Sequence, residues 1–266
     1  MNEPVVQMNS IRHRFPESGF ILHVPGLDIR SGEILSIIGP NGSGKTTLLR
    51  LACGILHPEN GTVRLLGRDL SRLDRRAAAR TIGYLPQDLT SDSDYLVEEL
   101  VTLGRYPHIR PFGNPGGRDR KIVDQSLRAT ETETLRRRRL SRLSGGEKKR
   151  AFLASVLAQK PCVLLLDEPA ASLDIHRQVH FFRLLTGLSR EGIGVAVVTH
   201  DLNLASLYSD RVLLLKNGTP AAAGRPEEVL TKKNLESIYG AYVLLGRHPQ
   251  AERPVILPKM GENESS

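Results

Sequence analysis

The stretch Gly39-Pro40-Asn41-Gly42-Ser43-Gly44-Lys45-Thr46 decides the fold, because it fits the pattern G-x-x-x-x-G-K-[ST] in full. An apolar run over residues 34–38 precedes it, and residues 45–54 follow as an apolar segment without a helix breaker before Gly54. This order indicates a strand, a glycine-rich turn and a helix. Glycines let backbone N–H groups turn inward around phosphate oxygens at the positive end of a helix. The stretch predicts a nucleoside triphosphate site, with a plain strand-to-helix turn as the alternative.

Two pairs of side chains carry the chemistry of this site. Lys45 supplies a positive charge for the β- and γ-phosphates, and the Thr46 hydroxyl is a ligand for Mg²⁺, which prefers oxygen donors. Asp167 and Glu168 end the apolar run of residues 163–166, so both carboxylates emerge at the carboxyl end of a strand, where α/β sheets bind ligands. We assign Asp167 to the metal ion and Glu168 to the base that accepts a proton from water. Taken alone, this pair has an alternative as two solvated carboxylates.

The chain has an ordinary globular composition and a basic charge. It has 266 residues, of which 39% are hydrophobic, with 37 Lys and Arg against 29 Asp and Glu. No apolar run approaches the roughly 20 residues of a membrane helix, and the N-terminus does not have the pattern of a secretion signal. Cys53 and Cys162 are too few for a disulfide framework, and their apolar neighbours predict buried thiols. The charge leaves nucleic acid, an anionic membrane face and a phosphate-bearing ligand open.

The order of apolar runs predicts an α/β fold with an inserted helical lobe. Strands are expected over residues 5–11, 20–24, 34–38, 62–66, 82–85, 163–166, 195–199 and 211–216. Helices are expected over residues 45–54, 73–80, 95–103, 118–129, 147–159 and 175–190. Strands that alternate with helices predict a parallel sheet covered on both faces. Asn217-Gly218 predicts a hairpin turn, residues 241–258 a small β extension, and residues 259–266 a loose polar tail.

A second glycine turn is expected to bind phosphate from outside its own chain. Leu143-Ser144-Gly145-Gly146-Glu147 heads the helix expected over residues 147–159, and Ser144 is a good N-cap. Free N–H groups therefore point outward from this turn. If the helical lobe lies to one side of the phosphate site, one nucleotide does not touch both turns of the same chain, and we expect two chains arranged head to tail. Each would supply Ser144, Gly145 and Gly146 to the γ-phosphate bound by the other.

Taken in order, these motifs resemble those of the ATP-binding cassette (ABC) ATPases over nearly the whole chain. The matching stretches are GPNGSGKTT (39–47), Gln87 in YLPQD, LSGGE (143–147), LLLDEP, SLD (172–174) and His200 in VVTHD. The resemblance implies an α/β P-loop NTPase fold of the RecA-like type, with a mostly parallel sheet core, N-terminal antiparallel strands and an inserted α-helical subdomain. It divides residues 1–240 into a core (1–90 and 160–240) and a helical subdomain (91–159).

The resemblance also implies cofactors, ATP and Mg²⁺, and roles for single residues. Gln87 is similar to a glutamine that touches Mg²⁺ or the attacking water, His200 to a histidine that contacts the γ-phosphate and orients Glu168, and Asp174 to a residue that reaches across the dimer. The implied metal ligands are Thr46, Gln87 and Asp167. The implied nucleotide-binding residues are Gly39, Pro40, Asn41, Gly42, Ser43, Gly44, Lys45, Thr46, Thr47, Ser144, Gly145, Gly146, Asp174 and Phe15.

Two residues depart from the usual pattern of the family. Phe15 stands where relatives stack an aromatic ring on adenine, and the equal alternative is that Phe15 is an ordinary apolar residue of a loop. Lys149 stands where many relatives have glutamine.

Two further segments resemble importers of iron–siderophore, haem and cobalamin complexes. They are ELVTLGRYP (99–107) and the C-terminal part with GRPEEVL (224–230) and HP…RPVILP (248–258). This implies separate permease subunits, indirectly a substrate-binding protein, and a peripheral place at the cytoplasmic face of the membrane. We expect residues 95–106, including Glu99 and Arg105, to dock the permease, or else to pack as an amphipathic helix in their own lobe.

The basic charge leaves one rival function open, a soluble ABC ATPase acting on nucleic acid or the translation machinery. Relatives of that kind usually carry two cassettes or long coiled-coil insertions, so we expect no nucleic-acid partner. Residues 136–150 hold eight basic residues and one acidic residue. We interpret this cluster as a solvated edge of the helical lobe, or as a source of positive potential around the second glycine turn.

Overall fold

The computed structural model describes residues 3–89, 94–110, 113–171 and 173–259. In chain order, the strands in this part of the chain are β1 (Pro4–Arg14), β2 (Ile21–Arg30), β3 (Ile34–Ile38), β4 (Asn60–Leu65), β5 (Arg68–Asp69), β6 (Ile82–Leu85), β7 (Val163–Asp167), β8 (Gly194–Val198), β9 (Arg211–Lys216), β10 (Thr219–Gly224), β11 (Val243–Arg247) and β12 (Pro254–Pro258). The α-helices are α1 (Lys45–Ala52), α2 (Arg75–Ala79), α3 (Val97–Leu103), α4 (Gly117–Ala129), α5 (Gly145–Ala158), α6 (Ile175–Arg190), α7 (Leu202–Tyr208), α8 (Pro226–Val229) and α9 (Lys232–Tyr239).

The central sheet has the strand order β10-β9-β3-β8-β7-β6. Strands β9, β3, β8, β7 and β6 are parallel, and β10 is antiparallel to β9. Every residue of β3, β7 and β8 is buried, as expected for strands covered on both faces. Asn217 and Gly218 join β9 to β10 with φ of 47° and 79°, the positive values that a two-residue hairpin turn needs. The mostly parallel core and this hairpin are therefore confirmed.

A second sheet is antiparallel and has the order β2-β1-β4-β5. It packs on one side of the central sheet. Leu35 and Ile37 of β3 pack in the cluster that holds α1 and the inner side of this sheet. Ile34 of β3 packs in the cluster on the opposite face, with α6. Alternate residues of one strand therefore feed two cores, as the pleat of a β-strand requires. The N-terminal antiparallel strands are confirmed.

The helices α3, α4 and α5 have an apolar cluster of their own. It contains Val97, Leu100 and Val101 of α3 together with Ile122 and Leu127 of α4. The helix α5 packs on two sides, because its alanines lie in this cluster and its residues Leu153, Val156 and Leu157 lie against the central sheet. The turn at the N-terminus of α5, which is the LSGGE stretch, is thereby fixed to both cores.

The segment after α3 is held by a close approach and a buried ion pair. A side chain at Gly104 would place its Cβ 2.0 Å from the Ser155 carbonyl oxygen, so only glycine fits between α3 and α5. Arg105 is 4% exposed, and its guanidinium donates to Asp119 at 2.9 Å and to the Ala158 carbonyl at 2.5 Å. Arg105 is therefore a buried structural residue, and our expectation that it contacts a permease is wrong.

The C-terminal segment forms the expected β extension, since β11 and β12 pair as an antiparallel hairpin. Of the polar tail, residues 260–266 lie outside the described part of the chain. Cys162 is exposed, so the buried-thiol prediction is wrong for it, because its backbone edges the sheet and its side chain faces outward. Cys53 is partly buried, and burial raises its pKa to about 11. No helix in the described ranges is long and apolar enough to cross a membrane.

Candidate nucleotide site

The turn between β3 and α1 forms an open loop of backbone N–H groups. Gly39, Gly42 and Gly44 have φ of 151°, 73° and 99°, which side chains other than glycine rarely adopt. A Cβ on Gly39 would also lie 2.2 Å from the Leu215 carbonyl oxygen. Gly44 is the N-cap of α1, so the positive end of the helix points into the loop. The sequence requires glycine here for a geometric reason.

Lys45 occupies the centre of this loop. Its Nζ donates to the Gly39 and Pro40 carbonyl oxygens at 2.9 Å each, and the residue is only 6% exposed. Burial lowers the pKa of Lys45, while the charges of Glu168 and Asp167 act in the opposite direction. An ammonium group has three donors, so one donor is left to reach a phosphate oxygen.

Thr46 and Asp167 meet across the start of α1 and the end of β7. Thr46 Oγ1 donates to Asp167 Oδ1 at 3.1 Å. Asp167 is 1% exposed, and its Oδ2 has no hydrogen-bond partner in the part of the chain that the structure describes. Burial raises the pKa of this carboxyl group. A buried oxygen without a partner costs free energy, and a hard cation beside it would remove that cost. The pair therefore fits Mg²⁺ held by two protein oxygens and by phosphate oxygens.

Glu168 is held by two other predicted residues. Gln87 Nε2 donates to Glu168 Oε2 at 2.9 Å, and His200 Nε2 lies 2.6 Å from Glu168 Oε1. The backbone of Glu168 has φ of 49°, and its N–H donates to the Val198 carbonyl oxygen at 3.1 Å. This left-handed conformation costs about 1–3 kcal/mol in a residue other than glycine, and such residues cluster at functional sites. The conformation turns the carboxylate out of β7 toward the phosphate loop.

One cleft of about 730 Å³ brings most of these side chains together. Its lining residues are Phe15, Ser18, Phe20, Asn41, Gly42, Gly44, Lys45, Thr46, Thr47, Gln87, Glu168 and His200. The lining does not include Gly39, Pro40 and Ser43. The rings of Phe15 and Phe20 lie 6.2 Å apart in this lining, and Phe20 borders the phosphate loop at Gly44. The cleft therefore offers aromatic rings to a base and the loop beside them to phosphates.

The sequence analysis missed Ser18 and Phe20. The Phe15 N–H donates to the Phe20 carbonyl oxygen at 2.9 Å, so the two aromatic residues face each other across the turn between β1 and β2. The signal that could have found Phe20 is a second aromatic residue five positions after Phe15, at the other end of a Pro, Ser and Gly turn. Phe20 also packs against Gly44, since a Cβ there would lie 3.1 Å from its ring.

The second glycine turn and Asp174 do not line this cleft. Ser144 and Glu147 form a capping box, in which the Glu147 carboxylate accepts from the Ser144 N–H at 2.8 Å. Gly145 is exposed, and apart from its chain neighbours and its own helix backbone no atom of the described residues lies within 4 Å of its Cβ position, whereas Gly146 is buried against Leu173. Asp174 caps α6 by accepting from the Arg177 N–H at 2.9 Å. Ser172 of the SLD stretch lies outside the described residues.

Lys149 links the helix α5 to the loop after Glu168. Its Nζ donates to the Ala171 carbonyl oxygen, and burial lowers its pKa while the Glu168 charge acts in the opposite direction. The lysine that departs from the usual glutamine therefore makes a contact within its own chain.

The family profile described as ABC transporter matches residues 22–171, which is more than half of the chain. The chain belongs to the ABC transporter family. Its P-loop NTPase fold and its resemblance to ABC ATPases are thereby confirmed, and a nucleotide is the ligand of the family.

This ABC protein is 39% identical over 233 residues to the ferric enterobactin transport ATP-binding protein FepC of Escherichia coli K12, covering 87% of the chain and 86% of FepC. It is 42% identical over 238 residues to the hemin import ATP-binding protein HmuV of Pseudomonas aeruginosa, covering 88% and 92%.

Solved ABC cassettes have the same fold. The dimeric structure of MJ0796, a bacterial ABC transporter cassette, superposes with a TM-score of 0.72 at 28% identity, covering 83% of this ABC protein and 98% of MJ0796. MJ0796 has also been solved as a dimer in a post-hydrolysis state bound to ADP and Pi. In this ABC chain, Ser144 to Gly146 and Asp174 lie outside the lining of the chain's own cleft.

Proposed function

We propose that this chain is the ATP-hydrolysing subunit of an ABC importer that takes up an iron–siderophore, haem or cobalamin-type complex through separate permease subunits. The observation that carries the enzymatic part is the Glu168 carboxylate, which Gln87 and His200 hold beside the phosphate loop. The names of the relatives FepC and HmuV, a ferric enterobactin transport protein and a hemin import protein, support the import part. The comparisons give the nucleic-acid alternative no support.

The site residues divide the work of hydrolysis. The loop N–H groups and Lys45 bind and orient the phosphates, while Thr46 and Asp167 would hold Mg²⁺, with Gln87 beside them. Mg²⁺, when bound, neutralises negative charge that develops on the phosphate oxygens. Glu168 accepts a proton from the attacking water, and Gln87 and His200 keep its carboxylate in one orientation. Phe15 and Phe20 offer aromatic faces to the adenine.

A second copy of the chain completes the site in this proposal. The exposed turn of Ser144, Gly145 and Gly146 would bind the γ-phosphate of the partner's ATP, and Asp174 would reach the same site. Open space around Gly145 supports this, because a phosphate oxygen can approach its N–H from outside. The dimeric cassette MJ0796 supports a self-dimer. Two bound ATP molecules would then be sandwiched between two chains arranged head to tail.

The permease would dock on an apolar patch that joins the core to the helical lobe. We define the docking patch as Ile55, Leu103 and Tyr106, which are 56%, 48% and 72% exposed. Arg76 of α2 donates to the Tyr106 and Pro107 carbonyl oxygens at 3.1 Å each and lies over the Tyr106 ring. A cavity of about 590 Å³ beside α2 is lined by Ile55 of the docking patch together with apolar and polar residues. Exposed apolar patches mark interaction sites. The chain would thus be peripheral, at the cytoplasmic face of the membrane.

The basic cluster of residues 136–150 offers less unpaired positive charge to a nucleic acid than its composition suggests. Arg136 is bound to Asp124 and lies 3.5 Å from Glu98, and Arg139 lies 3.8 Å from Asp94. Part of the positive charge is therefore neutralised by carboxylates of the helical lobe. The solvated edge of the lobe is the interpretation that these pairs support.

The import proposal is tested by uptake in a strain that lacks this gene. The strain is complemented with the wild-type chain, with Glu168→Gln, or with Tyr106→Ser, and supplied with labelled ferric siderophore, haem or cobalamin. We expect wild type alone to restore uptake of one of the three, and Tyr106→Ser to lose co-purification with the permease while it still hydrolyses ATP. Leu66→Ser, which changes another exposed apolar residue on the β4–β5 turn, is the control. Unchanged uptake of all three substrates in the deletion strain would refute the import proposal.

A further inference from the structure

The C-terminal hairpin is clamped to the helix that follows His200. Asn203 of α7 binds both backbone groups of Ile256 in β12. Its Nδ2 donates to the Ile256 carbonyl oxygen at 3.1 Å, and its Oδ1 accepts from the Ile256 N–H at 2.8 Å. One turn further along α7, Ser206 Oγ donates to the Pro254 carbonyl oxygen at 2.6 Å. Two side chains of α7 therefore make hydrogen bonds to the β12 backbone of the kind that a neighbouring strand would make.

The apolar contacts of the clamp reach the central sheet. Ile256 is the buried residue of β12, and it packs in a cluster with Ala205 of α7, Val212 and Leu214 of β9, and Leu235 of α9. Ser206 is fully buried. A two-stranded sheet is marginally stable alone in water, so the hairpin depends on this packing. Because α7 has only seven residues, its position also depends on tertiary contacts more than on helix propensity.

The start of α7 is fixed by hydrogen bonds on both sides of His200. Asp201 caps the helix by accepting from the Asn203 and Leu204 N–H groups at 2.9 Å each. The Asp201 N–H in turn donates to Thr199 Oγ1 at 3.1 Å. His200 lies between these two residues and reaches Glu168 at 2.6 Å. A shift of α7 along its axis would therefore move His200 relative to Glu168.

We propose that Asn203 is a positioning residue for ATP hydrolysis, through which the C-terminal hairpin sets the position of α7 and hence of His200. This inference rests on the proposed function, in which His200 orients Glu168. Asn203 itself does not line the nucleotide cleft, so it acts through His200 and leaves nucleotide binding intact.

The first test compares Asn203→Ala with a matched control in the full-length chain. Asn234→Ala removes a side-chain amide of α9 that donates to the Val229 carbonyl oxygen at 2.9 Å and that does not join α7 to the hairpin. We expect Asn203→Ala to lower kcat on the order of tenfold, with KM for ATP changed less than about twofold. Losses of this size are usual for residues that orient a residue of the site without touching the ligand. Asn234→Ala should keep kcat at the wild-type value. Equal kcat losses in both variants, or wild-type kcat in Asn203→Ala, would overturn the proposal.

The second test is a double-mutant cycle with His200→Ala, measured as single-turnover hydrolysis of radiolabelled ATP so that slow rates are resolved. If Asn203 acts through His200, then Asn203→Ala lowers the rate in the wild-type background and has no further effect in His200→Ala. Equal losses in both backgrounds would contradict the proposal and indicate a general destabilisation. A wild-type chain without ATP hydrolysis would instead refute the proposed function, so the two failures are distinguishable.

Discussion

His200 Nε2 lies 2.6 Å from Glu168 Oε1, although the two residues are 32 positions apart in the chain. Glu168 is the first residue after β7, and His200 is the second residue after β8. The two strands are paired in parallel, with Asp167 opposite Val198. The carboxyl ends of parallel strands meet at one edge of a sheet. The strand register therefore brings these two side chains together.

This contact predicts that His200 contributes to turnover more than to nucleotide binding. We expect His200→Ala to lower kcat about 100-fold, within the range for loss of a positioned acid–base partner, with ATP affinity changed less than about threefold. His176→Ala, which changes an exposed histidine of α6 outside the cleft, should leave both constants unchanged. Steady-state kinetics together with equilibrium ATP titration measure both quantities. A loss of ATP affinity as large as the loss of kcat would contradict the role given to His200.

The buried Asp167 predicts a pH dependence of magnesium binding. Burial raises the pKa of Asp167 above the ordinary aspartate range, and the carboxylate is the form that binds Mg²⁺. Lowering the pH therefore protonates Asp167 sooner than an ordinary aspartate and weakens Mg²⁺ binding. We expect Mg²⁺ affinity in the presence of ATP, measured by calorimetry, to fall with falling pH at a higher pH than the titration of an ordinary aspartate would produce.

Asp167→Asn separates this effect from the titration of ATP itself. The variant should bind Mg²⁺ at least about tenfold more weakly at neutral pH and show a shallower pH dependence than wild type. Identical pH slopes in the two proteins would assign the whole effect to the nucleotide and contradict a role for Asp167.

The aromatic rings of Phe15 and Phe20 in the cleft predict a contribution to ATP binding that requires the adenine base. Stacking on an aromatic side chain is worth about 1–3 kcal/mol per base, so Phe15→Leu should weaken ATP binding roughly tenfold. Phe15→Tyr should retain affinity, because stacking needs only an aromatic face. Binding of inorganic triphosphate, which has no base, should be the same in all variants. Unchanged ATP affinity in Phe15→Leu would favour the alternative that Phe15 is an ordinary loop residue.

The buried pair of Arg105 and Asp119 predicts a stability effect rather than a docking effect. Arg105→Met leaves Asp119 without its main partner and should lower the free energy of unfolding by about 3 kcal/mol. Arg128→Ala, which removes an exposed pair with Glu133, should cost less than about 1 kcal/mol. Urea unfolding measures both. Equal stability of Arg105→Met and wild type would contradict the structural role.

The same pair also sets a pH dependence with a definite sign. Hydrogen bonds from Arg105 and from the Gly116 N–H lower the pKa of Asp119. A lowered carboxyl pKa stabilises the fold above the unfolded-state pKa, and this stabilisation is lost as the pH falls through the folded-state pKa. The stability difference between wild type and Arg105→Met should therefore be complete at neutral pH and shrink in acid.

Local patterns were sufficient to predict the central sheet and the phosphate loop. The apolar run of β3, the glycines after it and the helix from Lys45 are close in sequence, so their geometry follows from neighbouring residues. The hairpin at Asn217-Gly218 is equally local, because both residues need positive φ. The role of Glu168 was predicted from its place at the end of a strand, and the roles of Gln87 and His200 from motif order. The structure places Gln87 and His200 within hydrogen-bond distance of Glu168.

Features that depend on distant contacts could not be predicted in this way. Arg105 is buried because its guanidinium reaches Ala158, 53 positions away. Phe20 lines the cleft because a turn folds it back onto Phe15, and Cys162 is exposed although its neighbours in sequence are apolar. The helix expected from residue 95 begins at Val97, since the Glu99 carboxylate accepts from the Leu96 N–H and fixes the helix start there. The surroundings of Arg105 and Cys162 depend on which parts of the chain meet in space. The position of Phe20 and the start of α3 depend on contacts between residues three to five positions apart, which the pattern of apolar residues does not register.

Single-turnover ATP hydrolysis by Glu168→Gln tests the central claim most directly. Glutamine keeps the size of Glu168 but replaces one carboxylate oxygen by an NH2 group and cannot accept the proton from water. We predict that the hydrolysis rate falls about 10²–10⁴-fold while ATP affinity stays within about threefold of the wild-type value. Hydrolysis at the wild-type rate in this variant would contradict the assignment of Glu168 as the base.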